Sequence, residues 1–208
     1  MIFNPTISPE EIEKLKQAEF IGEIHVVDKL DYDYEAAIEY LRNQKIIGFD
    51  TETKPVFQAN AKRNGVALLQ LSGADKAFIF RLTSIGMPES LCRILATKKI
   101  AKVGAAVNED IRGLLRYTTF TPKGFVDLQN IGINWGIKEK SVRKMAAIIL
   151  GMRVSKSQQL SNWEAEELTH GQINYAAIDA WVCQQMYLKL LSTPNAELHA
   201  QEQIKNQQ

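Results

Sequence analysis

The segment from Ile46 to Glu52 places two carboxylates where they could act together. The residues before Asp50 are mostly apolar, which is typical of a strand buried on both faces. Side chains two positions apart on a strand point the same way, so Asp50 and Glu52 should project side by side. Two such carboxylates repel each other and lose hydration, so a bound cation would favour ionisation of both. Oxygen ligands of this kind suit Mg²⁺ or Mn²⁺.

Three residues far along the chain could join this pair. Asp110 lies in the predicted first turn of a helix, directly after a predicted strand. Tyr175 and Asp179 are four positions apart in a long predicted helix, and therefore share one helical face about a turn from each other. A phenol that can handle a proton would thus stand beside a possible metal ligand.

Each of these features also has an ordinary structural explanation. Acidic residues are common where a strand enters a loop, as Asp50 and Glu52 would be. A carboxylate such as Asp110 gains about 0.3–1 kcal/mol from the dipole at a helix N-terminus. Tyr175 and Asp179 fit an amphipathic helix with a half-buried phenol and a solvated carboxylate. Spacing alone therefore leaves both interpretations open.

Composition predicts one globular domain and argues against several classes of protein. Of the 208 residues, 45% are hydrophobic and 24% charged, which is enough for one sizeable core. A net charge of +1 argues against coating of nucleic acid by bulk charge, so any such contact should be confined to a cleft. Cys92 and Cys183 fit reduced thiols, and exclude a metal site built on cysteine. No apolar run has transmembrane length and no signal peptide is recognisable, so we expect a cytoplasmic protein without membrane contact.

The first third of the chain is predicted to be mainly strands. Ser8 followed by Pro9 is a helix-start pattern, and the helix should run to about Ala18 within an N-terminal helical extension over residues 1–21. Asp33 is expected to open a second helix. Strands are predicted at residues 23–27, 46–52, 66–71 and 77–80. The last two are separated by a short turn and should form an antiparallel hairpin, so this part of the chain is predicted to be a meander.

From Pro88 onward, helices alternate with one more strand, predicted over residues 100–107. This rhythm indicates an α/β fold with a mixed sheet flanked by helices. Asn108 is predicted to cap the helix that carries Asp110, and Asp127 is predicted to be a structural helix cap.

Two helices are predicted in the last third. One covers residues 141–150, and the longest begins after Thr169, which forms a capping box with Gln172, and ends near residue 191. Residues 22–192 are therefore expected to be the main domain, followed by a polar tail over residues 193–208.

In order and context, these residues resemble the motifs of the 3′–5′ exonucleases of the ribonuclease-H-like superfamily. The similar branch has four acidic residues and a tyrosine, and includes ribonuclease D and the exonuclease domain of the Werner-syndrome protein. Its three motifs resemble residues 48–53, Val103-Gly104 followed by Asp110, and residues 175–180, and the stretch before the third motif resembles Gln159 to Trp163. The resemblance covers roughly residues 22–191. It implies a mixed sheet of about five or six strands.

The resemblance also implies an activity and a ligand set. The expected enzyme is a metal-dependent 3′–5′ exonuclease that releases nucleoside 5′-monophosphates from a strand with a free 3′ end, and DNA is the expected substrate. Two divalent ions, Mg²⁺ or Mn²⁺, would neutralise the phosphodiester and activate water. Their ligands would be Asp50, Glu52, Asp110 and Asp179. Tyr175 would orient the attacking water, because a phenol with a pKa of about 10 is protonated at neutral pH.

Contacts with the nucleic-acid strand are harder to assign. Thr53 could offer its backbone N–H to the terminal 3′ hydroxyl, as the resemblance implies. Cationic contacts to phosphates and aromatic stacking on bases are the usual additions. The candidates for these are Lys54, Lys62, Arg63, Arg153, Lys156 and Trp163, although a solvated surface and a buried tryptophan explain them equally well. Where relatives often have an Arg-Pro pair, this chain has Glu166-Glu167, so a substrate contact there is not assumed.

Two alternatives to the DNA exonuclease stay open. An RNA-trimming enzyme would use the same mechanism, and nothing in the sequence recognisably reads the 2′ hydroxyl. A non-catalytic nucleic-acid-binding module would keep the fold but should lack a ligand, whereas all four carboxylates are present. Protein partners are not predictable from the sequence.

Overall fold

A mixed β-sheet with helices on both faces organises the chain. A computed structural model describes residues 3–58 and 64–194. The strands are β1 (Lys16–Gln17), β2 (Glu23–Val27), β3 (Ile46–Thr53), β4 (Val66–Ser72), β5 (Lys76–Arg81), β6 (Ala101–Gly104), β7 (Phe125–Asp127) and β8 (Met152–Arg153). The helices are α1 (Pro9–Glu13), α2 (Tyr32–Arg42), α3 (Leu82–Ile85), α4 (Glu89–Ala96), α5 (Val107–Leu114), α6 (Leu128–Ile131), α7 (Val142–Leu150) and α8 (His170–Leu191), and a 3₁₀ turn covers Gly132–Trp135.

The main sheet has six strands in the order β2-β5-β4-β3-β6-β7. Strands β3, β4 and β5 are antiparallel neighbours, so the predicted hairpin is confirmed. Strands β6 and β7 extend the sheet in parallel from β3. This arrangement confirms the predicted α/β class and its five or six strands. It also places the carboxyl ends of β3 and β6 at one edge, where Asp50 and the start of α5 lie.

The prediction of a simple meander is wrong for β2. This strand pairs in parallel with β5 at the edge of the sheet, with Glu23 opposite Lys76 and Val27 opposite Phe80. The helix α2 joins β2 to β3 and carries the chain across two intervening strands, which a hairpin could not do. Strands β5 and β4 therefore separate β2 from β3, the strand that carries Asp50 and Glu52.

Alternation of side chains along the strands divides the core between the two faces of the sheet. One face packs against α2, α4 and α5, and includes Ile47 and Phe49 of β3. The other face packs against α7 and α8, which bury apolar residues such as Met145, Val182 and Met186. Gly48, Asp50 and Glu52 alternate with the first set and therefore point towards α8.

The N-terminal segment packs more closely than the sequence suggests. Helix α1 ends at Glu13 rather than near Ala18, because the next residues leave the helix and pair in parallel with β8. The backbone N–H of Ala18 donates to the carbonyl oxygen of Arg153 at 2.8 Å. Phe3, Ile12, Ala18 and Phe20 are buried. The division into residues 1–21, 22–192 and 193–208 stays a prediction, and residues 195–208 lie outside the described part of the chain.

The residue that precedes α5 is not the predicted cap residue. Strand β6 ends at Gly104, and Ala106, not Asn108, precedes the helix, with a left-handed φ of 57°. The side chain of Asp127 accepts hydrogen bonds from the backbone N–H groups of Ala106 at 3.2 Å and Gln129 at 2.9 Å. The predicted cap role of Asp127 is confirmed, and the same carboxylate also holds the tight turn that leads into α5.

The predicted ends of the last two helices are confirmed. Ser141 caps α7, and Gly151 ends it in the left-handed conformation. Thr169 and Gln172 form the capping box of α8, which runs to Leu191. Among the described residues, no helix is long and apolar enough to cross a membrane.

Candidate active site

Strand β3 and helix α8 bring three carboxylates together. Asp50 and Glu52 project from the α8 face of β3, and Asp179 projects from α8 above them. One oxygen from each of the three carboxylates lies within 4.8 Å of the others. Asp179 is only 8% exposed, whereas the interpretation of α8 as an ordinary amphipathic helix predicts a solvated carboxylate at this position. The packing of α8 against β3 decides between the two interpretations, because it places all three side chains in one cluster.

The close approach of α8 to β3 depends on a missing side chain. A Cβ atom at Gly48 would lie 1.8 Å from the carbonyl oxygen of Ala180, so only glycine allows the two backbones to meet. One turn further along α8, the side-chain amide of Gln184 donates to the carbonyl oxygen of Ile46 at 2.9 Å. These two contacts fix the distance between the strand that carries Asp50 and the helix that carries Asp179.

Asp110 joins the cluster from the first turn of α5. The hydroxyl of Thr51 donates to Asp110 Oδ1 at 2.5 Å, which orients the carboxylate from the adjacent position on β3. Asp110 is near enough to Asp50 and Glu52 for its charge to raise the pKa of both. It stands outside the tight group of three, as expected for a ligand of a second ion.

Electrostatics show that this cluster is costly to ionise without a cation. Burial, followed by repulsion from neighbouring carboxylates, raises the pKa of Asp50 well above its ordinary value and that of Glu52 to about 9. Burial raises the pKa of Asp179 to about 7, against a lowering effect of Tyr175, and that of Asp110 to about 6, against the hydrogen bond from Thr51. Four acidic groups with raised pKa values in one place are a strong indication of a functional site.

The donor set fits divalent cations such as Mg²⁺ or Mn²⁺. It consists of hard carboxylate oxygens, and no histidine or cysteine contributes to the group of three. Bound positive charge would remove the repulsion that raises these pKa values. Asp50, Glu52 and Asp179 could hold one ion, and Asp50 with Asp110 could hold another.

Tyr175 lies on the same face of α8 as Asp179. Burial, followed by the negative charges of Asp179 and Glu52, raises the pKa of its phenol, so the hydroxyl keeps its proton at neutral pH. Its ring packs against Trp163 with 5.9 Å between ring centroids. The position agrees with a hydroxyl that donates towards the carboxylate cluster.

Trp163 does not lie where a base could stack. The side chain is completely buried, and it packs beneath Tyr175 with Leu68, Ile79 and Ala176. Trp163 is therefore the buried tryptophan that the sequence allowed as the alternative, and the suggestion that it binds substrate is wrong for this structure. Its location under Tyr175 makes it a support for the phenol.

The other suggested substrate contacts lie around the site. Thr53 is exposed at the end of β3, directly after a shift of strand register. Thr53 and Lys54 line a cavity of about 390 Å³ together with Asn64 and Arg116. The Nζ atom of Lys54 is 3.5 Å from a carboxylate oxygen of Glu164. Lys62 and Arg63 lie outside the described residues, and Arg153 and Lys156 line a different cavity.

Sequence reasoning missed the residues that position the carboxylates. Gly48, Thr51 and Gln184 each make a contact between elements that are distant in sequence. A glycine in the middle of a buried strand is the one local signal that could have indicated close approach by another backbone. The hydrogen bonds of Thr51 and Gln184 have no such signal.

We predict that Gly48→Ala will disrupt the site. The new methyl group would overlap the carbonyl oxygen of Ala180, so α8 must move away from β3 and carry Asp179 with it. Overpacking of this kind costs about 1–3 kcal/mol of stability. We expect weaker stabilisation by Mg²⁺ in thermal unfolding, beyond the loss of stability itself.

Gly132→Ala is the matched control for this prediction. A Cβ atom there would lie 3.4 Å from the flexible end of Met145 on α7, an ordinary contact with a helix that carries none of the four carboxylates. Normal stabilisation by Mg²⁺ in the Gly48→Ala protein, equal to that of the control, would contradict the proposed role of the backbone contact.

The raised carboxyl pKa values predict how the stability of the metal-free protein depends on pH. The folded protein holds protons that the unfolded chain, with carboxyl pKa values of about 4, has released. This contribution to stability is present at low pH and is lost as the pH rises through about 6, 7 and 9, the values for Asp110, Asp179 and Glu52. We therefore expect the melting temperature in EDTA to fall between pH 5 and pH 9, relative to the protein with Mg²⁺.

Thermal unfolding of Asp50→Asn tests this origin of the pH dependence. Removal of one acid of the cluster should flatten the fall in melting temperature, whereas Asp28→Asn, at an exposed position, should leave it unchanged. An equal slope in all three proteins would show that the carboxylate cluster does not cause the effect.

Comparison with known proteins agrees with the geometry. The sequence profile of a 3′-5′ exonuclease family matches residues 25–193. The Exonuclease 3'-5' domain-containing protein 2 of Mus musculus is 30% identical over 179 residues, which cover 80% of this chain and 27% of that protein. The Bifunctional 3'-5' exonuclease/ATP-dependent helicase WRN of Mus musculus is 31% identical over 157 residues, or 72% of this chain and 11% of that protein. The chain thus spans about a quarter or less of the length of these relatives.

A solved structure shows the same fold. The crystal structure of the Aedes aegypti Nibbler EXO domain superimposes with a TM-score of 0.71, at 23% identity, and the match covers 84% of this chain and 91% of that one. The motifs that resembled an exonuclease in the sequence and the family match, which covers most of the chain, agree with each other. This chain therefore belongs to the 3′-5′ exonuclease family.

Proposed function

We propose that this chain hydrolyses the 3′-terminal phosphodiester bond of a DNA strand, with Mg²⁺ or Mn²⁺, and releases nucleoside 5′-monophosphates. The observation that carries the proposal is the cluster of Asp50, Glu52 and Asp179, with one oxygen of each within 4.8 Å of the others. Asp110 lies beside it on α5. The presence of all four carboxylates argues against the non-catalytic module, because carboxylates that repel each other are unfavourable in a protein that binds no metal ion there.

The four carboxylates would hold two divalent ions. Asp50 would be a ligand of both ions, Glu52 and Asp179 would complete the site of one, and Asp110 would contribute to the other. When bound, these ions neutralise the phosphodiester and lower the pKa of the attacking water. Thr51 keeps the carboxylate of Asp110 turned towards the cluster through its 2.5 Å hydrogen bond.

Tyr175 and Thr53 would act on water and substrate. The phenol keeps its proton because burial and nearby carboxylates raise its pKa, so Tyr175 orients the attacking water rather than removing its proton. Thr53, exposed at the end of β3, would offer its backbone N–H to the 3′ hydroxyl. Lys54 borders the adjacent cavity and would contact a phosphate, in exchange for its pairing with Glu164.

The choice of DNA rather than RNA is a proposal about the substrate, and the two share this mechanism. Proteins distinguish RNA from DNA through the 2′ hydroxyl, and nothing in the sequence recognisably reads that group, so we propose DNA. A cytoplasmic location is part of the same proposal, and it is supported by Cys92 and Cys183, which are unpaired thiols.

Digestion of oligonucleotides labelled at the 5′ end tests the proposed function. We expect a ladder that shortens from the 3′ end with Mg²⁺, mononucleotide products, and no cleavage in EDTA. DNA and RNA strands of matched sequence, compared in the same assay, decide between the two substrates. Internal cleavage, or no cleavage of either strand with Mg²⁺ or Mn²⁺, would refute the proposal.

A further inference from the structure

A second cavity continues the surface beside the carboxylates. It has a volume of about 170 Å³ and is lined by Tyr175 and Asp179 on one side and by Gln17 and Ser155 on the other. Because Tyr175 and Asp179 belong to the proposed active site, this cavity opens directly from it. Its far wall is formed by β1 and the segment after β8.

A third cavity adjoins the second. It has a volume of about 220 Å³, and Gln17, Val154 and Ser155 line both cavities. Its remaining lining is charged and consists of Glu13, Arg143, Arg153 and Lys156. We call the two adjoining cavities the basic groove. The groove connects the carboxylate cluster with three cationic side chains.

The cations in the basic groove exceed the anions. The carboxylate of Glu13 accepts from Arg143 Nη2 at 2.5 Å and from Arg153 Nη1 at 2.7 Å. Within residues 3–58 and 64–194, Lys156 has no ion-pair partner, and it is exposed. In the third cavity, three positive charges therefore share a single negative charge, that of Glu13.

The two guanidinium groups retain donors for a further partner. An arginine has five N–H donors, and one carboxylate uses only part of this set. The Nε atoms of Arg143 and Arg153 are buried, and among the described residues they have no hydrogen-bond partner. The side chains as a whole are 24% and 34% exposed, so a phosphate would contact the Nη donors that Glu13 does not use rather than the buried Nε atoms. Planar donors of this kind match the oxygens of a phosphate.

A purely structural role of the ion pairs explains less. Helix α1 is already attached by the burial of Ile12 and by the pairing of β1 with β8. Ion pairs as exposed as those of Glu13 contribute little to stability. A structural role of the ion pairs also does not explain why Lys156 lines the same cavity, or why that cavity adjoins the one lined by Asp179.

We propose that the basic groove binds phosphates of the nucleic-acid strand beyond the nucleotide that is removed. Arg143, Arg153 and Lys156 contact the phosphates, and Glu13 holds both guanidinium groups while it competes with phosphate for them. The proposal rests on the proposed function, because a strand must enter at the carboxylate cluster to reach this groove. It gives the N-terminal segment a part in substrate binding.

Binding of a fluorescent single-stranded oligonucleotide, measured in the Asp50→Ala background over a range of salt concentrations, tests the groove. We expect Arg153→Gln and Lys156→Ala each to weaken binding roughly tenfold at low salt, and to lower the slope of log affinity against log salt by about 0.7 per lost contact. The loss should increase with the length of the oligonucleotide. Arg93→Ala is the matched control, because Arg93 lies on α4 at the opposite face of the sheet and is 64% exposed.

Glu13→Gln gives an effect of the opposite sign. This change removes the competing negative charge and keeps the shape of the side chain, so we expect the oligonucleotide to bind at least about twofold more tightly at low salt. If Glu13 only stabilises the fold, Glu13→Gln would lower the melting temperature and leave binding unchanged or weaker. That result would overturn the proposal.

The remaining outcomes distinguish failure of the groove proposal from failure of the proposed function. Unchanged affinity and unchanged salt slope in the folded Lys156→Ala and Arg153→Gln proteins would overturn the groove, even if the wild-type protein degrades DNA. Absence of degradation by the wild-type protein with Mg²⁺ or Mn²⁺ would refute the proposed function, whatever the binding data show. Lys156 is exposed, so its substitution should not prevent folding.

Discussion

Replacement of Asp50 by alanine is expected to lower the rate of 3′-terminal hydrolysis roughly 10⁴-fold or more, as loss of a central catalytic group does in other enzymes. Asp50 is the carboxylate that both proposed ions would share, since it lies with Glu52 and Asp179 and within the electrostatic influence of Asp110. Single-turnover digestion of a 5′-labelled oligonucleotide at saturating Mg²⁺ measures the effect.

The fold should survive this substitution. Asp50 is half-buried and repelled by its neighbours, so its removal relieves an unfavourable interaction, and we expect the metal-free variant to melt at the same or a higher temperature than the wild type. Asp28→Ala, at an exposed position after β2, serves as the control for the loss of a carboxylate. Near wild-type turnover by the Asp50→Ala protein would show that the active site has been assigned to the wrong residues.

Tyr175→Phe is expected to slow hydrolysis by roughly 10²–10⁴-fold, the range typical for loss of a positioned group that handles a proton. The ring would still pack on Trp163, and the carboxylates would keep their positions. Only the hydroxyl, which the raised pKa keeps protonated beside Asp179, is removed. Binding of Mg²⁺ and of the oligonucleotide should therefore change little.

The matched control is Tyr187→Phe, which removes a half-buried hydroxyl from the same helix, three turns further along. Its rate should equal that of the wild type. Equal rates for Tyr175→Phe and the control would exclude the catalytic role of Tyr175. A weaker affinity for the oligonucleotide in parallel with the slower rate would instead make Tyr175 a substrate contact.

The chemistry of the site could be predicted because its signals are local. The period of two along β3 placed Asp50 beside Glu52, and the period of α8 placed Tyr175 on the face of Asp179. Both of these placements follow from a few neighbouring residues and do not depend on the rest of the fold. The order of the motifs then indicated that strand and helix meet, although spacing alone could not.

The features that were mispredicted depend on contacts between distant segments. Strand β2 looks like any other half-buried strand, and its place beside β5 is decided by how α2 crosses the sheet. The left-handed turn at Ala106 is possible because Asp127, 21 residues later, accepts its N–H. Trp163 has the residue type of a stacking platform, but Leu68 and Ile79 of the sheet cover it completely. Such contacts leave no periodic trace in the sequence.

The burial of the N-terminal segment sets the boundary of the unit that folds. Similarity to the family begins at residue 25, yet Phe3, Ile12 and Phe20 are buried in the core, and the ring of Phe20 lies 5.8 Å from that of Trp181 on α8. Each large side chain of this kind contributes about 1.5–3 kcal/mol when it is buried. A shortened protein that starts where the similarity starts would expose apolar surface on the helix that carries Asp179. The shared catalytic region is thus smaller than the piece of chain that must be kept for it to stay soluble and folded.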